Sequence, residues 1–343
     1  MKLMIAGGTG FIGSNMIHYQ VDNTNNQVTN LDKLTETSNT RSLGRARNSL
    51  RYTFKQVDLL DQQRLLLELE KFQPDALLHL ATTNNISNSI ESPDNTIQNN
   101  CFGTLNLLEA VRAYHQELPA QRQQSFRLIY LHPTPSTHNT SPCCYSRQSA
   151  AELVLTWHNT YQLPALTLAC PASFGPCQFP EHLIPNTLLT ALDGKHISIT
   201  EGEIEDQWIY VQDLIEGINQ LLVSGQPGCS YQIHESHRIS RLELTCQICD
   251  ILDELQPQPS SYRNLITFAE PGIQELAGYY SLKTNEPLKK SQPLPNEWLP
   301  TTPLKTALET TISWYLNNPD WVTSITSGEY LKRRKTPTPK KPW

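Results

Sequence analysis

Short apolar runs alternate with longer stretches of helical periodicity through the first half of the chain, and their order predicts the fold. Residues 2–6 are near-continuously apolar, as in a parallel strand buried on both faces, and an apolar helical pattern begins at Phe11. The strand pattern returns at 28–31, 52–57, 75–81, 126–131 and 165–170. Between these runs, 60–72 sets Leu65, Leu66, Leu69 and Phe72 on one helix face. The stretch 93–114 reads as one long helix with Ile97, Cys101, Leu105, Leu108 and Val111 on one side, and 145–161 reads as a second. This regular alternation predicts an α/β protein with a doubly wound parallel sheet and ligands at the carboxyl ends of its strands. Beyond Pro171 the elements shorten and prolines multiply. Helices are expected at 180–192, 211–223, 240–255 and 303–316, and short strands at 196–200, 207–210, 229–233 and 279–282. The Pro-rich stretches 256–261 and 291–303 read as loops.

The turn between the first strand and the first helix carries the chemistry. Gly7, Gly10 and Gly13 recur at every third position, where a pyrophosphate can approach the backbone and meet the N–H groups of a helix start. Asp32 follows at the end of the second strand, about 20 residues on, as a dinucleotide fingerprint requires. A carboxylate there accepts hydrogen bonds from both ribose hydroxyls and repels a 2′-phosphate, which favours NAD over NADP. The expected organisation is therefore an NAD-binding Rossmann-type domain over 1–170, a smaller C-terminal α/β lobe over 171–331 with the chain free to cross between them, and a tail over 332–343.

Composition narrows the partners. The net charge is −6, yet the last twelve residues hold Lys332, Arg333, Arg334, Lys335, Lys340 and Lys341 and no acid, so the rest carries −12. That sign disfavours nucleic acid as a partner, and the basic end reads as a solvated, disordered tail. No apolar run reaches membrane-spanning length, and the first strand leaves no room for a signal peptide, so a cytoplasmic protein without membrane contact is expected. Eight scattered cysteines predict free thiols, and the Cys246/Cys249 pair lies in a helical pattern that favours core packing over metal binding; no metal site is expected.

Several stretches together resemble the extended short-chain dehydrogenase/reductases, and among them the dTDP-glucose 4,6-dehydratases. They are Gly-Gly-Thr-Gly-Phe-Ile-Gly-Ser at 7–14, Leu-Asp-Lys-Leu-Thr at 31–35, Gln-Pro-Asp-Ala-Leu-Leu-His-Leu-Ala at 73–81, and Asn100 with Gly103-Thr104-Leu105. Phe-Pro-Glu-His-Leu-Ile-Pro at 179–185 and Trp-Ile-Tyr-Val-Gln-Asp at 208–213 follow. Most specific is Trp314-Tyr315-Leu316-Asn317-Asn318-Pro319-Asp320-Trp321 with Ser327-Gly328-Glu329-Tyr330. The resemblance implies NAD held by Gly7, Gly10, Phe11, Ile12, Asp32, Lys33, Asp58, Leu59, Leu80, Ala81 and Asn100. It implies a nucleotide sugar, a dTDP- or UDP-hexose, as substrate. It also implies dimerisation through the two long helices, whose Leu105, Leu108, Val111, Leu153, Val154 and Trp157 would face a second copy or an active paralogue.

The catalytic positions depart from that pattern. The family oxidises the sugar at C4, eliminates water across C5 and C6 and returns the hydride to C6, using a Tyr-x-x-x-Lys pair and a Thr-Asp-Glu stretch after the fifth strand. Tyr145 remains as a remnant, but Ser149 stands for the Lys, and Pro133, Thr134 and Pro135 stand for Thr, Asp and Glu. A serine brings no cation to lower the tyrosine's pKa, and two prolines with one hydroxyl supply neither acid nor base. Further departures are Thr83-Asn84-Asn85-Ile86-Ser87-Asn88, Ala172-Ser173-Phe174, His182 for a Lys, Asp206 for an Arg, and Glu270-Pro271-Gly272-Ile273-Gln274. Asp206 and Glu270 are expected to repel a diphosphate. The reading is a relative that binds NAD without dehydrating, a scaffold or regulatory partner. The alternative is an active nucleotide-sugar enzyme whose site is rebuilt from His132, Thr134, His138, Cys143 and Cys144.

Overall fold

The computed structural model describes residues 1–83, 86–134, 141–199, 205–233, 237–268 and 291–328. The expected strand at 279–282, the residues Pro135, His138 and Glu270, and the basic tail lie outside them. Among the described residues thirteen strands run in chain order: β1 (Lys2–Ala6), β2 (Gln27–Asp32), β3 (Tyr52–Gln56), β4 (Ala76–His79), β5 (Arg127–Pro133), β6 (Ala165–Cys170), β7 (Ala172–Phe174), β8 (Ile197–Ile199), β9 (Glu205–Tyr210), β10 (Ser230–Gln232), β11 (His237–Ser240), β12 (Ile266–Phe268) and β13 (Ser291–Gln292). The helices are α1 (Phe11–Asn23), α2 (Gln62–Phe72), α3 (Ile86–Glu91), α4 (Pro93–Ile97), α5 (Gly103–Gln116), α6 (Ala120–Ser125), α7 (Pro142–Tyr161), α8 (Leu183–Leu192), α9 (Val211–Ser224), α10 (Arg241–Leu255), α11 (Leu304–Asn317) and α12 (Pro319–Thr326).

Eight strands form one parallel sheet in the order β13-β10-β6-β5-β4-β1-β2-β3. Strand order reverses between β1 and β4, which opens a crevice at their carboxyl ends. The period-two alternation of β1 splits the core: Leu3 and Ile5 face one apolar layer, Met4 and Ala6 the other. Helices α2, α5 and α7 fill the second layer, whereas α1, α9, α10 and α11 fill the first. The chain does cross between the two expected segments, because β10 and β13 complete the main sheet. The stretch 291–303, read as loop, supplies that edge strand. A three-stranded sheet, β11-β9-β7, and the pair β12-β8 build the smaller lobe. No helix of the described residues is long and apolar enough to cross a membrane.

The long helix expected at 93–114 is broken. A single π-helical turn, Gln98–Phe102, separates α4 from α5. The Asn100 amide within it donates to Thr83 O at 3.0 Å and to Ser146 Oγ at 2.9 Å, and its Oδ1 accepts from Thr83 N at 2.7 Å. Its carbonyl accepts from Thr104 Oγ1 at 2.6 Å. A side chain satisfied three ways in the core outweighs helical regularity, and hydrophobic spacing carries no mark of it. The proposed partner face is corrected as well: Leu108, Val111 and Val154 are buried in the chain's own core, which leaves Leu105, Leu153 and Trp157 partly exposed.

The C-terminal Trp-Tyr-x5-Trp stretch has a packing role. Trp321 lies edge-on to Trp314, Tyr315 and Phe179, with centroids 5.0, 5.9 and 6.0 Å away, and its Nε1 donates to Ser42 Oγ at 3.0 Å. Tyr315 Oη donates to Gln178 O. The last helices are thereby fastened to the 3-10 segment Thr40–Asn48 that follows β2. Replacing Trp321 with Ala should cost about 3–5 kcal/mol, read as a lowered denaturant midpoint at unchanged slope.

A column of rings runs through the sheet centre. His79 packs on Tyr130 at 4.9 Å, and Tyr130 stacks on His132 at 5.9 Å. Burial lowers His79 to about 3, and it lowers His132 to about 4 against a hydrogen bond to Pro133 O that raises it. Both rings are neutral in the fold, whereas in the unfolded chain they take a proton below about pH 6.5. Stability is therefore full above pH 6.5 and falls as the pH drops toward 4, by up to about 3 kcal/mol per pH unit for the two together. Urea midpoints at pH 7.5 and pH 5 should differ clearly, and H132Q should flatten the dependence.

Candidate functional site

The glycine turn after β1 is held by backbone contacts. Gly7 has φ +88°, and a Cβ there would sit 2.6 Å from Ala81 N. A Cβ at Gly13 would lie 2.3 Å from Gly7 O, so α1 can start this close to β1 only without one. Gly10 differs: its added Cβ would meet only Gly7 O, at 3.5 Å, and would otherwise fill the open cleft. No side chain caps α1, so its first N–H groups have neither a helical acceptor nor a cap. Gly8 also matters, since its N–H donates to Asn30 Oδ1 at 2.9 Å and pins the turn to β2; the every-third-residue pattern does not single it out.

Two connected chambers open over this turn. The smaller, about 80 Å³, is lined by Gly7, Gly10, Asp32, Lys33, Asp58, Leu59, Leu80 and Ala81, which brings together eight of the eleven expected cofactor residues. Phe11 and Ile12 line the larger chamber. Asn100 lines neither; fully buried, it acts as a strut behind the wall through Thr83 and Ser146. Asp32 is more committed than expected. Its carboxylate accepts from Thr9 N at 3.1 Å, Leu34 N at 2.8 Å and Ser38 Oγ at 3.1 Å. Of about four acceptor sites on a carboxylate, one is left, enough for one ribose hydroxyl rather than two. Lys33 Nζ reaches Asn99 Oδ1 at 2.5 Å and Asp58 Oδ2 at 3.6 Å, bridging the adenosine side of the chamber. A pyrophosphate-shaped cradle, free helix N–H groups and a ribose-facing carboxylate fit a dinucleotide such as NAD at this half of the cleft.

The larger chamber, about 380 Å³, lies beyond the turn toward the smaller lobe. Tyr145, in the first turns of α7, is 56% exposed on its wall. Ser149, one turn on, is exposed and off that wall, and no lysine is among the lining residues. Pro133 and Thr134 line it where the family would place catalytic groups; Pro135 lies outside the described residues. Cys144 also lines the chamber, but Cys143 is buried with its Sγ donating to Thr83 O at 3.2 Å, so it is a packing residue. Burial lowers His182, on the opposite wall, to about 4, so it replaces the expected cation with a neutral ring.

Two arginines that sequence reasoning missed stand in this chamber. Arg241 pairs with Asp206, Nε to Oδ2 at 2.9 Å, with both side chains 7% exposed. The charge reversal at Asp206 is therefore compensated, and the repulsion expected of it does not arise; its partner is 35 residues away in sequence and is set by the β9–β11 pairing. Arg147, two residues past Tyr145, is the second.

The model of the NAD dependent epimerase/dehydratase family matches residues 3–233. The dTDP-glucose 4,6-dehydratase of Neisseria meningitidis serogroup B is 33% identical over 97% of this chain and 98% of its own length. The dTDP-glucose 4,6-dehydratase 1 of Escherichia coli K12 is 32% identical over 96% and 97%. Among solved structures, the Bacillus anthracis dTDP-glucose 4,6-dehydratase, crystallised in complex with NAD, superposes with a TM-score of 0.75 at 23% identity, over 95% of this chain and 99% of that one, which attests the shared fold. With a backbone-built dinucleotide cradle at the sheet reversal and near full-length similarity to these enzymes, the chain belongs to the NAD dependent epimerase/dehydratase family.

Proposed function

We propose that this chain binds NAD across the glycine turn and does not carry out 4,6-dehydration, serving as a non-catalytic member of its family in a scaffold or regulatory role. The observation that supports this reading is the wall around Tyr145, which among the described residues holds no lysine and sets Pro133 and Thr134 where the resemblance places a threonine and the acid. NAD, when bound, supplies a hydride acceptor at its nicotinamide. The chain's own residues supply the cradle at Gly7 to Ile12, one acceptor on Asp32 for a ribose hydroxyl, and the Lys33–Asp58 bridge beside the adenosine. Among the described residues no lysine stands on the wall beside Tyr145, and Asp206 is engaged by Arg241 at 2.9 Å.

One observation favours the second reading, an active enzyme with a rebuilt site. Glu181, whose carboxyl desolvation raises with a further push from Glu36, lines the same chamber as Tyr145 and His132. A carboxyl whose pKa is raised holds its proton to higher pH, which suits general acid work.

Calorimetry with NAD should show saturable binding, and Gly10→Ala should abolish it at an unchanged melting temperature, because the new methyl fills the cradle without touching protein. Absent heat with the wild-type chain would defeat the coenzyme reading. Incubation of the NAD-loaded protein with dTDP-glucose or UDP-glucose should yield no 4-keto-6-deoxy sugar, from the wild type or from Ser149→Lys. Product from the wild type establishes the second reading, and product from the single variant alone shows that the lysine was the only deficit.

A further inference from the structure

Among the described residues, Arg147 is a cation without a counter-ion. Its Nε donates to Cys143 O at 3.3 Å and its Nη2 leans on Cys144 Sγ at 3.8 Å, which fixes the guanidinium against the first turns of α7. Three of its five N–H groups have no partner, and among the described residues no carboxylate pairs with it. Of the two carboxylates on the chamber wall, Asp206 is bound to Arg241, and Glu181 is coupled to Glu36 rather than to Arg147. A half-buried guanidinium left unneutralised is costly, and the usual remedy is an anion that meets its planar fork with two oxygens.

The same chamber is lined by four side chains with buried polar atoms that have no hydrogen-bond partner: His132 Nε2, Thr134 Oγ1, Gln178 Oε1 and Trp208 Nε1. Their residues are 4%, 6%, 3% and 7% exposed. Two are oriented by their other ends. His132 Nδ1 lies 3.0 Å from Pro133 O, which can only accept, so Nδ1 carries the proton and Nε2 presents a lone pair. Gln178 Nε2 donates to Ser173 O at 2.8 Å, so its Oε1 is left as an acceptor. Trp208 and Arg147 are donors, and Thr134 is either. A buried polar atom without a partner calls for one, and four of the nine such atoms among the described residues belong to the lining of this one chamber.

We infer that the larger chamber holds an oxyanion, a carboxylate carried on a polyhydroxyl group, with its charge on the Arg147 fork and its hydroxyls on His132 and Gln178. This names the ligand class of the chamber described above, and it rests on reading the cleft as a coenzyme and sugar-nucleotide site. A neutral hexose would satisfy the acceptors but leave the guanidinium unpaired. The volume, about 380 Å³, is in the ordinary range for a small-molecule pocket, roughly 300–1,000 Å³. Arg147 lies two residues past Tyr145 and two before Ser149, so α7 presents a cation to this part of the cleft.

The test is calorimetry with UDP-glucuronate and UDP-glucose, which differ only by the carboxylate at C6, with and without saturating NAD. The acid should bind about tenfold or more tightly than the neutral sugar, as expected for one charge-assisted bidentate contact. Arg147→Met should bring the two affinities within about twofold while leaving NAD affinity unchanged. Arg147→Lys, which keeps the charge but loses the fork, should reduce the preference severalfold and serves if the Met variant does not fold. Equal affinities in the wild type, failure of both sugars to bind, or a preference left undiminished by either substitution overturns the inference. A preference for the acid in a protein that shows no NAD binding upholds it and defeats the coenzyme reading instead.

Discussion

The close approach of three backbone segments at the sheet reversal governs the rest of the structure. Gly7, with positive φ, lies against Ala81 at the end of β4, and Gly13 lies against the Gly7 carbonyl. Each approach is closer than any Cβ allows, so β1, the start of α1 and the end of β4 form one rigid knot. Gly8 and Thr9 then tie the knot to β2 through Asn30 and Asp32. The crevice that receives a ligand is the space left over where these segments diverge. Its shape is a packing consequence of the fold, and it persists whether or not any chemistry takes place beside it.

That distinction explains which part of the site was legible from residues alone. The cradle is written in glycine spacing and in the carboxylate at the end of β2, both local in sequence, and eight of the expected residues do share one chamber. The alternation of strands and helices was equally local. What escaped depends on tertiary pairing. Asp206 looked like a repulsive charge because Arg241, its partner, is reached only when β11 pairs with β9. Arg147 went unremarked because nothing in its sequence neighbourhood announces that α7 presents it to a chamber. Asn100 looked like a coenzyme contact and proves to be a strut, since the π-helical turn that buries it answers to Thr83 and Ser146 on other elements. Three of the six residues expected at a partner face are buried in the chain's own core, because the resemblance points to a pair of helices without saying which neighbour covers each apolar residue.

The catalytic positions stand in a different physical relation to the fold. Ser149 is exposed and Tyr145 more than half exposed, so a change of side chain at either costs the fold little. Groups that serve only proton transfer can be replaced without loss of stability, whereas Gly7, Gly13 and Asn100 cannot. A chain of this architecture that no longer needs dehydration would be expected to keep the knot and shed the lysine, the acid and the base. Among the described residues the chamber carries an ion pair, Arg241 with Asp206, and a guanidinium, Arg147, that no carboxylate pairs.

The glycines are therefore unequal witnesses to function. Gly7 and Gly13 are accounted for by packing, and their presence would follow in a protein that binds nothing at all. Gly10 is different, because a methyl there would meet no protein atom closer than 3.5 Å. Gly10, the N-cap of α1, has extended backbone (φ −77°, ψ −178°) that any residue adopts, so no strained conformation demands a glycine there. Packing gives no reason for a glycine at position 10, while a phosphate group approaching the α1 N-terminus gives a direct one. Of all the residues in the cradle, this sterically free glycine is the one whose identity argues for a bound dinucleotide rather than for an inherited shape.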